Sequence, residues 1–174
     1  MTSIFKPNPT NQPEICKAIV FEIAGHLLAL PVSAVFKVIR SSIVFCTTLG
    51  NRKLVHVEDT AFPILDLHHF LSQVRPDRYD EYKKQFLSTQ EQFLVLARLY
   101  RTNLCAIPVD DPPSLMKLPL SSTYMLPPSY REKIGDLASH VTIVPYQDST
   151  ISVMLLDLQQ ALATNDFHNR VSVP

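Results

Sequence analysis

The sequence predicts a mainly β protein: a pair of small barrels laid out on one repeated plan, with a few short helices. Two motifs recur in the same order. Ala29-Leu30-Pro31-Val32 returns as Ala106-Ile107-Pro108-Val109 at an offset of 77. Pro63-Ile64-Leu65-Asp66-Leu67, with Leu71 beyond it, returns as Met154-Leu155-Leu156-Asp157-Leu158 with Leu162, at an offset of 91. One tetrapeptide can recur by chance, but two motifs in one order make chance a poor account. The segments between them are short and alternate in polarity, which is the strand period. The 14 prolines disfavour long interior helices and favour short elements joined by fixed turns.

Taken in order, residues 1–14 are polar and proline-bearing and read as an arm. Ile19, Phe21 and Ile23 then alternate with Ala18, Val20 and Glu22 as a strand, and Gly25-His26 turns into Leu27–Leu30 to close a hairpin. Val32, Val35, Phe36 and Ile39 fall at helical spacing for barely two turns. Strands are expected at Lys53–Val57 and Ala61–Leu65. Asp66 is expected to cap a short helix carrying Leu67, Phe70 and Leu71. The best helical pattern is Pro76–Leu87, with Pro76 in the first turn, Tyr79, Tyr82 and Phe86 on one face, and Asp80 four residues before Lys84. Four more strands follow, at Phe93–Leu99, Leu104–Ile107, Val141–Val144 and Ile151–Leu156. Leu126-Pro127-Pro128-Ser129-Tyr130 reads as a surface loop entering a helix, and Asp157 as the cap of Leu158–Ala163. The chain thus divides into an arm, one domain at 15–163 and a tail at 164–174. The domain's repeat halves span about 17–74 and 91–163, with a helical insertion at about 76–89.

Composition excludes several function classes. Apolar residues at 46% and charged residues at 18% describe a globular chain. Its length allows burial of ~70% of the surface that the unfolded chain exposes. Sixteen basic and sixteen acidic side chains balance to zero, without the positive excess that displaces counterions from nucleic acid. Small barrels can bind single strands through basic grooves with stacking aromatics. Here tryptophan is absent, and the phenylalanines and tyrosines mostly sit in apolar runs or in Pro76–Leu87. Only Gly25, Gly50 and Gly135 are present, so no glycine cluster can cradle a phosphate. No segment approaches the ~20 apolar residues of a membrane helix, and no leader-type apolar run opens the chain, so the expected location is cytoplasmic.

The titratable residues form no recognisable chemical signature. Cys16, Cys46 and Cys105 are odd in number, widely spaced and without a CxxC pairing, as expected of small thiols in a reducing compartment. His68 and His69 are neighbours that a helix would point about 100° apart, and the other four histidines lack ligand spacing. No metal or cofactor is expected. Asp110-Asp111 and Glu58-Asp59 are adjacent pairs that an extended backbone points to opposite sides, which is awkward for shared acid–base work. Asp66 and Asp157 read as caps, and no nucleophile elbow occurs. The expected protein is not an enzyme.

The ordered motifs resemble the CheW-like family of chemotaxis coupling proteins, which includes the regulatory domain of the chemotaxis histidine kinase. That family opens with a strand, a glycine turn and an A/I-I/L-P-V segment leading to V-x-E-V-I. This chain has Phe21-Glu22-Ile23-Ala24-Gly25-His26, then Ala29–Val32, then Val35-Phe36-Lys37-Val38-Ile39. The family's R-G-x-x-x-P-V/I-L/I-D-L is similar to Glu58-Asp59-Thr60-Ala61-Phe62-Pro63-Ile64-Leu65-Asp66-Leu67. Its later P-V-D and L-L-D-L are matched by Pro108-Val109-Asp110 and Leu155-Leu156-Asp157-Leu158. The resemblance covers roughly Lys17 to Leu162.

This resemblance implies two packed, five-stranded, SH3-like β-barrels that are intertwined, with strands crossing between them. It also implies a chemosensory adaptor without chemistry of its own. Such an adaptor couples the cytoplasmic tips of methyl-accepting chemoreceptors to the regulatory domain of a CheA-type histidine kinase. It would be cytoplasmic and recruited to membrane-associated receptor arrays. Two departures stand out: the family glutamate is Lys37 here, and the family arginine is Glu58, with Asp59 in place of the glycine. A Lys37–Glu58 contact would keep the attraction with its polarity exchanged, and would alter partner choice, as in a twitching-motility or phototaxis pathway. The expected partner-binding residues are Lys37, Val38, Ile39, Arg40, Glu58 and Asp59. The alternatives are a same-fold competitor that binds one partner only, and a small ligand-binding barrel or enzyme using Asp110, Asp111 and nearby histidines.

Overall fold

The structure is a computed structural model that describes residues 14–41, 45–49, 52–72, 92–100 and 103–163. The Pro76–Leu87 helix, the insertion at 76–89, the tail at 164–174 and all of the arm except Glu14 lie outside the described residues.

The described chain is mainly β with short helices. Strand β1 (Ile15–Ile23) forms a hairpin with β2 (His26–Pro31), and Ile23 faces His26 across a two-residue turn. Ala24 and Gly25 both take positive φ, 51° and 75°. That is the dihedral sign a type I′ turn needs to match strand twist, and glycine meets it without steric cost. Strand β3 (Val35–Ser41) follows a single 3-10 turn at Val32–Ala34, and then come β4 (Phe45–Leu49), β5 (Arg52–Val57) and β6 (Thr60–Pro63). Helix α1 (His68–Leu71) is one turn long. The later part repeats the plan with hairpin β7 (Gln92–Tyr100) and β8 (Asn103–Val109), β9 (Ser114–Pro119), a 3-10 turn at Leu120–Ser122, and β10 (Thr123–Met125). Helix α2 (Pro128–Lys133), β11 (Ala138–Tyr146), β12 (Ser149–Leu156) and a closing helix α3 at 158–163 complete it.

The strand order shows how these elements interlock. One sheet runs β10-β11-β12-β2-β1-β9. The others run β3-β7-β8 and β4-β5-β6, and a parallel bridge from Ile64 to Ala106 joins β6 to β8. Each early hairpin therefore sits among strands from the other part of the chain. The β1–β2 hairpin is flanked by β9 and β12, and the β7–β8 hairpin by β3 and β6. The parallel contacts correspond: Ala29 opposes Leu155, and Ala106 opposes Ile64. We call the two curled sheets the β1–β2 barrel and the β7–β8 barrel.

Burial follows from this exchange. In β1, Ala18 and Val20 face the interior of the β1–β2 barrel with Ala29, Leu118, Val144 and Val153. Phe21 and Ile23 face a larger core that also takes Leu28 and Leu30 of β2, Val95 and Ala97 of β7, and Cys105 and Ile107 of β8. Leu94, Leu96 and Ala106 turn the other way, into the β7–β8 barrel with Val55 and Ile64. Both hairpins are thus buried on both faces, which is why they read as nearly continuous apolar runs.

Two expectations about elements are corrected. The helical spacing of Val32, Val35, Phe36 and Ile39 yields only the 3-10 turn at Val32–Ala34, and the remaining positions belong to β3. The ladder with β7 steps from Val35 to Lys37, so Phe36 is an extra, bulged residue. A bulge breaks strict alternation and leaves a spacing that imitates a helix. The strand expected at Ala61–Leu65 ends at Pro63, and Leu65 N–H donates to the Ala106 carbonyl at 2.9 Å. Asp157 acts as a cap, its Oδ1 accepting the N–H groups of Gln159 and Gln160 at 3.0 and 3.1 Å. Leu67 holds the cap position of α1, and Asp66, one residue earlier, accepts the His68 N–H through Oδ1 at 3.1 Å.

Candidate functional site

The sequence singles out the β3 strand and the β5–β6 turn, and the structure brings the two together. Lys37 Nζ lies 3.9 Å from Glu58 Oε1, with side chains 55% and 82% exposed. Antiparallel pairing of Val57 with Thr60 leaves Glu58 and Asp59 as the two turn residues, and Glu58 takes φ 53°. A non-glycine residue in that region carries a steric cost of roughly 1–2 kcal/mol. Gln147 takes φ 51° in the corresponding β11–β12 turn, so the same device closes both hairpins. An exposed pair at this distance adds only ~0–1 kcal/mol. Its physical consequence is to place both charges at the surface in a set orientation.

The other expected residues divide. Val38 is exposed, and Arg40 and Asp59 are exposed with it. Ile39 is half-buried and packs against Val55, Leu94 and Leu96, so it belongs to the barrel interior. Sequence reasoning missed Phe36, which is 52% exposed with the Arg98 guanidinium 5.2 Å from its ring centroid. The bulge that turns Phe36 outward leaves only a helix-like spacing in the sequence, which does not mark Phe36 as exposed.

Asp110 and Asp111 do not share a pocket. Asp110 turns inward: its Oδ1 lies 2.6 Å from His68 Nε2, and its Oδ2 accepts the Ala24 N–H at 2.7 Å. Asp66 Oδ1 lies 3.5 Å from His68 Nδ1. His68 is buried at 1% exposure, and burial by itself works to lower its pKa. The hydrogen bonds to Asp110 and Asp66 and their negative charges outweigh that, so the imidazole is held above its ordinary value. For Asp66, burial works upward, but the His68 hydrogen bond and charge, with Lys53 nearby, hold the carboxyl below its usual range. The cluster ties α1, the end of β8 and the β1–β2 turn into one buried ionic joint. The joint gives Asp110 a structural role inside the protein.

Among the described residues no group of three or more histidine, cysteine or acidic side chains is placed to hold a metal. Burial pushes the Cys105 thiol up to about 12, as for an inert core thiol. No helix among the described residues is long and apolar enough to cross a membrane.

No family model and no curated protein matches the chain. Among solved structures it is similar to the crystal structure of the scaffolding protein TtCheW from Thermoanaerobacter tengcongensis, with a TM-score of 0.56 and 14% sequence identity. That match covers 88% of this chain and 91% of the other. The fold is CheW-like. At 14% identity the likeness extends over nearly the whole CheW-like backbone, while the side chains at its surface are this chain's own. The exchanged hairpins and curled sheets fit the paired SH3-like subdomains expected from the sequence.

Proposed function

We propose that this chain is a non-enzymatic chemosensory adaptor. It couples the tips of methyl-accepting chemoreceptors to the regulatory domain of a CheA-type histidine kinase, recruited to receptor arrays from the cytoplasm. The observation that carries the reading is the CheW-like fold over 88% of the chain, shared with a scaffolding protein. Supporting it, Asp110, one of the two acidic residues that a catalytic reading would use, is engaged in an internal joint with His68 and the Ala24 N–H.

The partner-facing surface in this reading carries Lys37, Val38 and Arg40 of β3 with Glu58 and Asp59 of the adjoining turn. Ile39 supports the strand from beneath. A kinase or receptor surface built to meet arginine at the Glu58 position meets a carboxylate instead, and like charges at a contact are unfavourable. The partners are therefore dedicated ones, as in a twitching-motility or phototaxis pathway.

Titration calorimetry of the full chain against the cognate kinase regulatory domain and the cognate receptor tip tests this. Binding to both is expected. Binding to one alone identifies a same-fold competitor, and binding to neither overturns the adaptor reading.

A further inference from the structure

We propose that the mouth of the β1–β2 barrel is a binding site for a cation carried on an apolar stem, an alkylguanidinium or alkylammonium group. A cavity of about 220 Å3 opens there. Leu27, Met116 and Ile151, which pack against the barrel's interior cluster, are among the residues that line it. Tyr146, Glu22 and Asp111 line it as well.

Glu22 reaches this position through strand geometry. Ala18 and Val20 point into the barrel, and two residues on, by the same period, Glu22 stands on the same face at the barrel's end. Neither Glu22 nor Asp111 forms an ion pair with any described residue, and no lysine or arginine lines the cavity. Two carboxylates beside an apolar floor therefore hold negative charge that the barrel itself leaves unanswered. An apolar ligand would fill the floor without meeting the carboxylates at the rim, and a bare cation would forgo the floor. A stem with a cationic head satisfies both, as lysine and arginine side chains do when they bury their methylenes and keep the charge at the rim. The Tyr146 ring adds a face for the cation.

The other barrel carries a different side chain at the corresponding hairpin position. Glu22 pairs with Leu27 across its hairpin, and Arg98 pairs with Leu104 across the second. Leu27 and Leu104 are separated by the same 77 residues as the repeated A-L/I-P-V motif. At that position the β7–β8 barrel supplies its own cation, Arg98, over its own ring, Phe36. The β1–β2 barrel has a carboxylate there, a ring and a cavity.

The inference does not rest on the adaptor reading, because its test needs neither kinase nor receptor. Full-length 15N-labelled protein would be titrated with n-butylguanidinium and, in parallel, with the neutral N-butylurea. The expected result is a saturable shift of the Leu27, Asp111 and Ile151 amides with the cation and none with the urea. Glu22→Gln and, separately, the exposed Asp111→Asn should each weaken binding by roughly tenfold. Unchanged spectra elsewhere verify the fold of each variant. No saturable shift at those amides, an equal response to the urea, or full affinity in both variants would overturn the site. A capped Ala-Arg-Ala peptide distinguishes the source of the cation. Tighter binding than butylguanidinium marks a partner's arginine side chain, and equal or weaker binding marks a free small cation.

Discussion

At the end of the β7–β8 barrel, Arg98 lies over Phe36 and the strand plan is completed by the chain's own charge. At the matching end of the β1–β2 barrel, Glu22 faces a cavity beside Tyr146. The two barrels correspond down to their parallel contacts, Ala29 with Leu155 and Ala106 with Ile64. The similar strand geometry therefore constrains the backbone and leaves the barrel mouths free to differ, since these positions are partly or fully exposed and contribute little to the core.

The largest test of this comparison concerns what the barrels have in common. Phe21 projects from the β1–β2 hairpin into the core that both hairpins line. Phe21→Ala should cost ~3–5 kcal/mol, read as a lowered midpoint in a single urea transition followed by circular dichroism. Two separated transitions would show that each barrel folds by itself, contrary to the exchange of hairpins.

Next in size is the ionic joint. Asp110→Asn should destabilise by ~1.5–3 kcal/mol, the range for a hydrogen bond to a charged group. The wild-type urea midpoint should also depend on pH with a definite sign. His68 titrates at ~6.5 when unfolded and higher when folded, so its contribution is complete below that value and is lost as pH rises through the folded pKa. Asp66 behaves oppositely: its contribution is present above ~3.9 and fades as pH falls through its lowered folded value. Midpoints measured from pH 3 to 9 check both limbs, and Asp110→Asn should flatten the alkaline one.

Smaller effects separate the barrel mouths. Arg98→Ala removes the cation from Phe36 and should cost ~0.5–1 kcal/mol, while Glu22→Ala at the matching position should be neutral or stabilising by thermal melting. Smallest is the Lys37–Glu58 pair. A double-mutant cycle with Lys37→Ala and Glu58→Ala should return ~0–1 kcal/mol of coupling, falling further at high salt. Partner affinity should respond far more than stability if the pair sets recognition.

What could be read from the sequence follows from burial. The β1–β2 and β7–β8 hairpins were legible because both faces are apolar, and the A-L/I-P-V and L-D-L motifs because they mark where strands cross or helices are capped. Strands β4, β9 and β10 were not anticipated. They lie at sheet edges, and Leu115, Tyr124 and Met125 stand exposed where a core pattern would need them inside. The Lys37–Glu58 contact was legible as a reversed charge pair, whereas which of the adjacent Val38 and Ile39 packs inward depends on the Phe36 bulge, whose position the sequence pattern does not give. His68 and Asp110 are 42 residues apart and meet only through the fold. The sequence put Glu22 in phase with Ala18 and Val20, but did not show that the strand ends where it stands.

The exchange of hairpins also has a consequence during synthesis. The β1–β2 hairpin is synthesised before its barrel neighbours β9 and β12, and Leu28 waits for Met154. Until then a two-sided apolar ribbon with unpaired edges has nothing of its own to cover it. Folding of this chain is therefore expected to be slow. The nascent hairpin is the segment most in need of chaperone protection.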